Sequence, residues 1–118
     1  MSGRKNFSAT AQVLQGTEAV TLLAAQGVGT RIHVQKLTYS IILAATGAGV
    51  GKLAVEDSDG GDRFVEVDAE ATQPPRTLDY GDFGFQLGDN NALIITVDAA
   101  TTNEATARVT AVGYITGV

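Results

Sequence analysis

The chain has 118 residues, 44% hydrophobic and 18% charged, with a net charge of −5 at pH 7, two prolines and no cysteine. That hydrophobic content excludes a disordered chain, and the missing thiols exclude disulfide scaffolds, thiolate metal sites and cysteine nucleophiles. The acidic balance repels phosphate backbones, so nucleic acid is not an expected partner.

Residues 1–6 are polar and basic and read as a flexible arm, with residues 7–118 forming one domain. The start MSGRKNFSAT has no apolar core of signal-peptide length and no segment is long and apolar enough for a membrane span, so a soluble protein made in a cytoplasm is expected. Phe7 to Leu14 puts Phe7, Ala9, Ala11 and Val13 on one face of a strand. Glu18 to Ala25 is apolar on both faces near its end, and the glycine-bearing stretch 26–30 lets the chain reverse.

Arg31 to Ala45 is the longest expected strand. Ile32 and Val34 occupy even positions, whereas Leu37, Tyr39, Ile41 and Leu43 occupy odd ones. A strict period of two would split these sets between opposite faces, so a β-bulge near Gln35–Lys36 is expected to reset the register. Thr46 to Gly51 (TGAGVG) reads as a hairpin turn, Lys52 to Glu56 as the returning strand and Asp57 to Asp62 (DSDGGD) as a second turn. Arg63 to Ala69 alternates; Gln73-Pro74-Pro75 is expected to break pairing, since adjacent prolines remove two donors. Asp82 to Leu87 places Phe83, Phe85 and Leu87 on one face, and Leu93 to Val97 (LIITV) reads as a central strand. Thr106 to Thr116 closes the domain, with Val109, Ala111 and Ile115 on one face and Val112 and Tyr114 on the other. About eight short strands follow, and two packed antiparallel sheets in jelly-roll order are the natural arrangement for them.

Few residues carry recognisable chemistry. The stretch 56–70 holds seven carboxylates against Arg63 alone. Within it, Asp57, Asp59 and Asp62 surround two glycines and offer oxygen ligands to a hard cation such as calcium, although the later ligands of a helix-loop-helix calcium site are missing. The same residues suit a solvated tight turn. His33, the single histidine, has Ser8, Ser40 and Ser58 as candidate partners, none in a nucleophile-elbow sequence. Glu66 and Asp68 share one strand face rather than opposing each other across a cleft as glycosidase acids do. The runs Gly27-Val28-Gly29 and Gly47 to Gly51 lead into no helix and read as turns, not phosphate cradles. No enzyme and no cofactor are expected, calcium apart. Small and β-branched residues crowd both faces of several strands, which points to burial against copies of the chain, with cyclic three-fold packing as the expectation. Arg4 and Lys5 are the expected partner interface, an arm that orders on an acidic surface.

The order of signals resembles small phage and prophage structural proteins. The resemblance rests on Gly29-Thr30-Arg31-Ile32-His33-Val34, on Gly88 to Val97 (GDNNALIITV) and on Arg108 to Tyr114 (RVTAVGY), and spans Glu18 to Thr116. The tryptophan or aromatic pair frequent in that group is replaced by Tyr80, Phe83 and Phe85. The resemblance implies a jelly-roll virion protein: a trimeric capsid decoration (cement) protein contacting the major capsid protein. The alternative is a receptor- or glycan-binding domain of a tail fibre, using loop 56–62 and Tyr80.

Overall fold

The computed structural model describes residues 4–14, 19–43, 52–59, 63–68, 73–97 and 105–117. These form nine strands and, among the described residues, no helix, hence none long and apolar enough to cross a membrane. The strands are β1 (Arg4–Leu14), β2 (Val20–Leu23), β3 (Arg31–Leu43), β4 (Lys52–Asp57), β5 (Arg63–Asp68), β6 (Gln73–Asp79), β7 (Phe85–Gln86), β8 (Leu93–Val97) and β9 (Ala105–Thr116).

They build two antiparallel sheets. The first runs β1-β9-β3-β6, with β7 also pairing β3, and the second runs β2-β8-β4-β5. Apart from the two-residue β7, the pairings β4–β5, β3–β6, β2–β8 and β1–β9 are nested about the turn after Asp57. The chain is thus one long antiparallel ribbon doubled on itself and folded over, so that β9 also meets β3 and β8 also meets β4.

The alternation seen in the sequence becomes the inner faces. Leu37, Tyr39 and Ile41 of β3, Ala107, Val109 and Ala111 of β9, Leu53 and Val55 of β4 and Leu93 and Ile95 of β8 fill one core, with Phe7, Ala9 and Ala11 of β1 packed at its margin. Each fully buried Leu or Ile contributes about 1.5–3 kcal/mol. The expected bulge is present: Val34 pairs Gly113 and Lys36 pairs Val112, so Gln35 is the extra residue and both Val34 and Leu37 point inward.

Four expectations need correction. β1 starts at Arg4, not Phe7, because Arg4, Lys5 and Asn6 continue the ladder to Thr116, Ile115 and Tyr114. The expected hairpin at 46–51 joins strands of different sheets; that segment lies outside the described residues, and its glycines mark a reversal without saying which strands pair. Gln73-Pro74-Pro75 does interrupt the ladder, which slips from Tyr39–Arg76 to Ile41–Gln73, but the segment lies inside β6 because an edge strand continues past the missing donors. Finally, Phe83 sits on a turn and is 63% exposed, while Phe85 and Leu87 face the core. The break comes at Gly84, whose φ of 74° and close approach to the Val34 carbonyl leave no room for a Cβ.

Candidate functional site

At the end of the sandwich where β3 begins, three loops are stitched together by side chains that accept backbone N–H groups. The Asp57 carboxylate is buried; its Oδ1 accepts the Asp59 N–H at 3.0 Å and its Oδ2 the Gly88 N–H at 2.9 Å. Ser58 grips the same loop from the turn, its N–H donating to the Ala92 carbonyl (3.0 Å) and its Oγ accepting the Ala92 N–H (2.8 Å). From the other side, the Gly29 N–H donates to Asp89 Oδ1 (2.8 Å) and the Gly27 N–H to Asn90 Oδ1 (3.0 Å). The Asn90 N–H returns the contact to the Thr30 carbonyl (2.9 Å). Such bonds satisfy donors that the ends of strands leave over.

These loops enclose a polar depression of about 370 Å³ lined by Arg31, Asp57, Asp59, Gln86, Leu87, Gly88 and Asn91. It contains two of the three expected metal ligands. Asp59 is exposed there, but each Asp57 oxygen already faces a backbone N–H, and Asp62 lies outside the described residues. Among the described residues no group of three or more acidic or histidine side chains is placed to hold a metal ion.

His33 lies next to this end, on the outer side of β3, buried beneath Phe83. Its ring stacks on Tyr114 (centroids 4.4 Å apart, planes 11° apart) and meets the Phe83 ring edge-on at 5.0 Å. Nδ1 is 3.2 Å from the Phe83 carbonyl, which only accepts, so Nδ1 carries the proton. Nε2 then accepts, from Thr116 Oγ1 at 3.2 Å or Gln86 Nε2 at 3.4 Å. The Tyr114 hydroxyl donates to the same Phe83 carbonyl (3.1 Å), and the Arg4 guanidinium lies 3.9 Å from the centre of the Tyr114 ring. Burial holds the imidazole below its usual pKa; the Phe83 carbonyl opposes that, and Arg31 and Arg4 reinforce it. None of these partners is a serine, and Ser58 is engaged by Ala92. The arrangement is a packed stack rather than an acid–base pair.

The remaining expected residues separate. Arg4 caps that stack and Lys5 follows it along β1, both exposed. Tyr80 is half-buried, its ring edge on Phe85 (4.7 Å), which itself stacks on Phe64 (4.0 Å); burial, then Tyr39, raises the Tyr80 phenol. It therefore packs against the core instead of forming an open sugar platform. Among the described residues the exposed large apolar side chains are instead Val28, Ile42, Phe83 and Val112, which the alternation pattern did not single out as a group.

Position parity also reveals a row of threonines across the outer face of the first sheet. Thr10 and Thr110 share a hydroxyl hydrogen bond of 2.9 Å, Thr110 is the cross-strand partner of Thr38, and Thr38 and Thr77 share a second of 2.9 Å. Four strands each contribute one member, so no local sequence pattern marks it.

No protein-family model matches the chain, and no curated protein sequence does. Among solved structures it is similar to a chain of the T13 IBDV viral particle, at 9% identity over 96% of this chain and 34% of that one, with a TM-score of 0.35. It is also similar to the decameric BFDV capsid protein, at 8% identity over 98% of this chain and 97% of that one, with a TM-score of 0.32. The chain therefore spans about a third of the length of the IBDV particle chain. TM-scores this low leave the architecture to be argued from its own strand order.

Proposed function

We propose that this protein is a non-enzymatic structural component of a virion, a decoration (cement) protein that seats on a capsid shell. The observation that carries this reading is the nested pairing of β1–β9, β2–β8, β3–β6 and β4–β5 across two sheets. We read a ribbon rolled in that way as the jelly-roll plan, which viral capsid domains use repeatedly. That link is one of architecture, and many sites can be grafted on one fold. The sequence resemblance to small phage structural proteins adds to it, as does the stack at His33, which has the contacts of a packing element and none of a nucleophile's.

A cement protein works by adding buried area across junctions between shell subunits. Its binding free energy then appears as shell stability through mass action. Arg4 and Lys5, exposed on β1 at the end where the sandwich presents Phe83 and Val28, supply the charged part of that contact with an acidic shell surface. The test is particle purification. The protein is expected to co-purify with shells, to lower their thermal stability when stripped off, and to lose its hold in an Arg4→Glu, Lys5→Glu double variant. Purified particles that lack the protein while infected cells contain it would overturn the reading.

A receptor- or glycan-binding domain of a tail fibre is the second reading. The depression lined by Arg31, Asp59, Gln86 and Asn91 favours it, because those groups suit hydroxyl-rich ligands. A glycan-array signal lost on Asp59→Ala would select this reading over the first.

A further inference from the structure

Each sheet ends in two edge strands, and an edge that can template another strand is ordinarily blunted. Three of the four carry such devices. β6 has Pro74 and Pro75, β2 is four residues long with a register shift, and β5 is six residues long with a register shift opposite β4 and three charged positions. β1 has neither a proline nor a register shift, and its two charges, Arg4 and Lys5, sit together at one end. It runs eleven residues from Arg4 to Leu14 in unbroken register with β9. Among the described residues no strand pairs with its outer side.

We propose that two copies of this chain join edge to edge along β1, antiparallel, about a two-fold axis at Thr10, so that the two first sheets become one continuous sheet. Three observations select a second copy in this orientation. Parity comes first: Phe7, Ala9 and Ala11 pack toward the core, so an added strand must match inner positions to inner and outer to outer. Antiparallel self-pairing about Thr10 does so, placing Thr10 across from Thr10 and Ser8 across from Gln12.

Charge comes second. Parallel pairing would stack Arg4 on Arg4 and Lys5 on Lys5 at the strand spacing of about 4.8 Å. Antiparallel pairing about Thr10 sets the two Arg4 residues twelve positions apart, roughly 40 Å at about 3.4 Å per residue, well beyond screening range. The hydroxyl row comes third. It ends at Thr10 on the free edge, and the axis extends it through Thr10 of the second copy into the same row running outward again. Hydroxyls matched across strands are among the favourable cross-strand pairs. The contact is two-fold, in place of the three-fold packing expected from the sequence, and it holds independently of the shell reading.

Sedimentation and cysteine cross-linking of the purified full chain test it. The wild type is expected to sediment as a dimer at tens of micromolar. Since the chain has no native cysteine, Thr10→Cys should give a covalent dimer under mild oxidation, whereas Ser8→Cys should not, its two copies lying about 13 Å apart along the edge. Thr10→Lys puts two like charges on the axis and should give a monomer with an unchanged circular dichroism spectrum. If that variant does not fold, the cross-linking pair still decides. A monomeric wild type, equal cross-linking of Ser8→Cys and Thr10→Cys, or a trimer unaffected by Thr10→Lys would each overturn the proposal.

Discussion

The two sheets share one core but differ in charge. Strands of the first sheet hold Arg4, Lys5, Arg31, Lys36, Arg76 and Arg108 against Asp79 alone, six positive residues and one negative. Strands of the second hold Lys52 and Arg63 against Glu56, Asp57, Glu66 and Asp68, two positive and four negative. The net charge of −5 therefore averages a basic layer with an acidic layer and acidic loops. Whole-chain charge predicts behaviour toward a distant polyanion; the separate faces decide what each one docks against. The first sheet's outer face carries the threonine row and the exposed Ile42 and Val112.

Breaking the first sheet should cost most. Gly113 of β9 lies across from Val34 at the bulge, and a Cβ there would run into the His33 carbonyl and, at 3.1 Å, the Phe7 ring. Both walls are backbone or packed aromatic, so little can yield. Gly113→Ala is expected to cost about 3 kcal/mol, read as a lower midpoint in urea unfolding. An unchanged midpoint would mean that β3 and β9 slide past each other more freely than the bulge implies.

Next comes the second sheet's hold on the loop that leads into it. Asp57→Ala removes the acceptor from the Asp59 and Gly88 N–H groups at once, an expected loss of about 2 kcal/mol. Asp57→Asn keeps one acceptor oxygen and should lose about half as much. If calcium raises the melting temperature of the wild type, and Asp57→Asn abolishes that rise, the loop is an ion site after all.

How much of this was legible beforehand depends on whether the signal was local. The bulge at Gln35 could be read because it shifts the parity of apolar residues within one strand. The central place of Leu93–Val97 could be read because its β-branched run is nearly continuous. The edge strand over Pro74 and Pro75 could be read only in part: the prolines do make the ladder slip, but an edge strand with one side unpaired carries on beyond the slip to Gln73. Phe83 failed for a similar reason: alternation put it with Phe85 and Leu87, and only the backbone's approach to Val34 reveals that Gly84 turns it outward. The acidic loop shows the limit most plainly. Spacing of Asp57, Asp59 and Asp62 is the same for a cation site and a backbone clamp, and the Gly88 N–H that engages Asp57 is 31 residues away.

A smaller effect on the first sheet is its response to acid. His33 is buried with Arg4 and Arg31 nearby, and its folded pKa lies below the ordinary value of about 6.5. The unfolded chain therefore binds the proton first. The contribution of His33 to stability is complete above about pH 6.5 and declines as pH falls from there through the folded pKa. Melting temperatures at about pH 7.5 and about pH 5 should differ more for the wild type than for His33→Gln, which has no such proton to gain. Equal differences would assign the acid sensitivity to carboxylates alone.

The smallest predicted effect separates the sheets by sign. The same replacement, threonine to valine, removes a hydroxyl from either outer face. In the first sheet the Thr10 and Thr110 hydroxyls share a hydrogen bond, so Thr10→Val strands a partner and should cost about 1 kcal/mol. In the second sheet the Thr96 Oγ1 is buried and has no hydrogen-bond partner among the described residues, so Thr96→Val removes an unsatisfied group in exchange for a methyl of similar shape. That change should gain about 1 kcal/mol. Paired urea titrations of the two variants resolve shifts of this size. Losses at both positions would mean that the Thr96 hydroxyl finds a water bond, and that the second sheet's outer face is as polar in practice as the first.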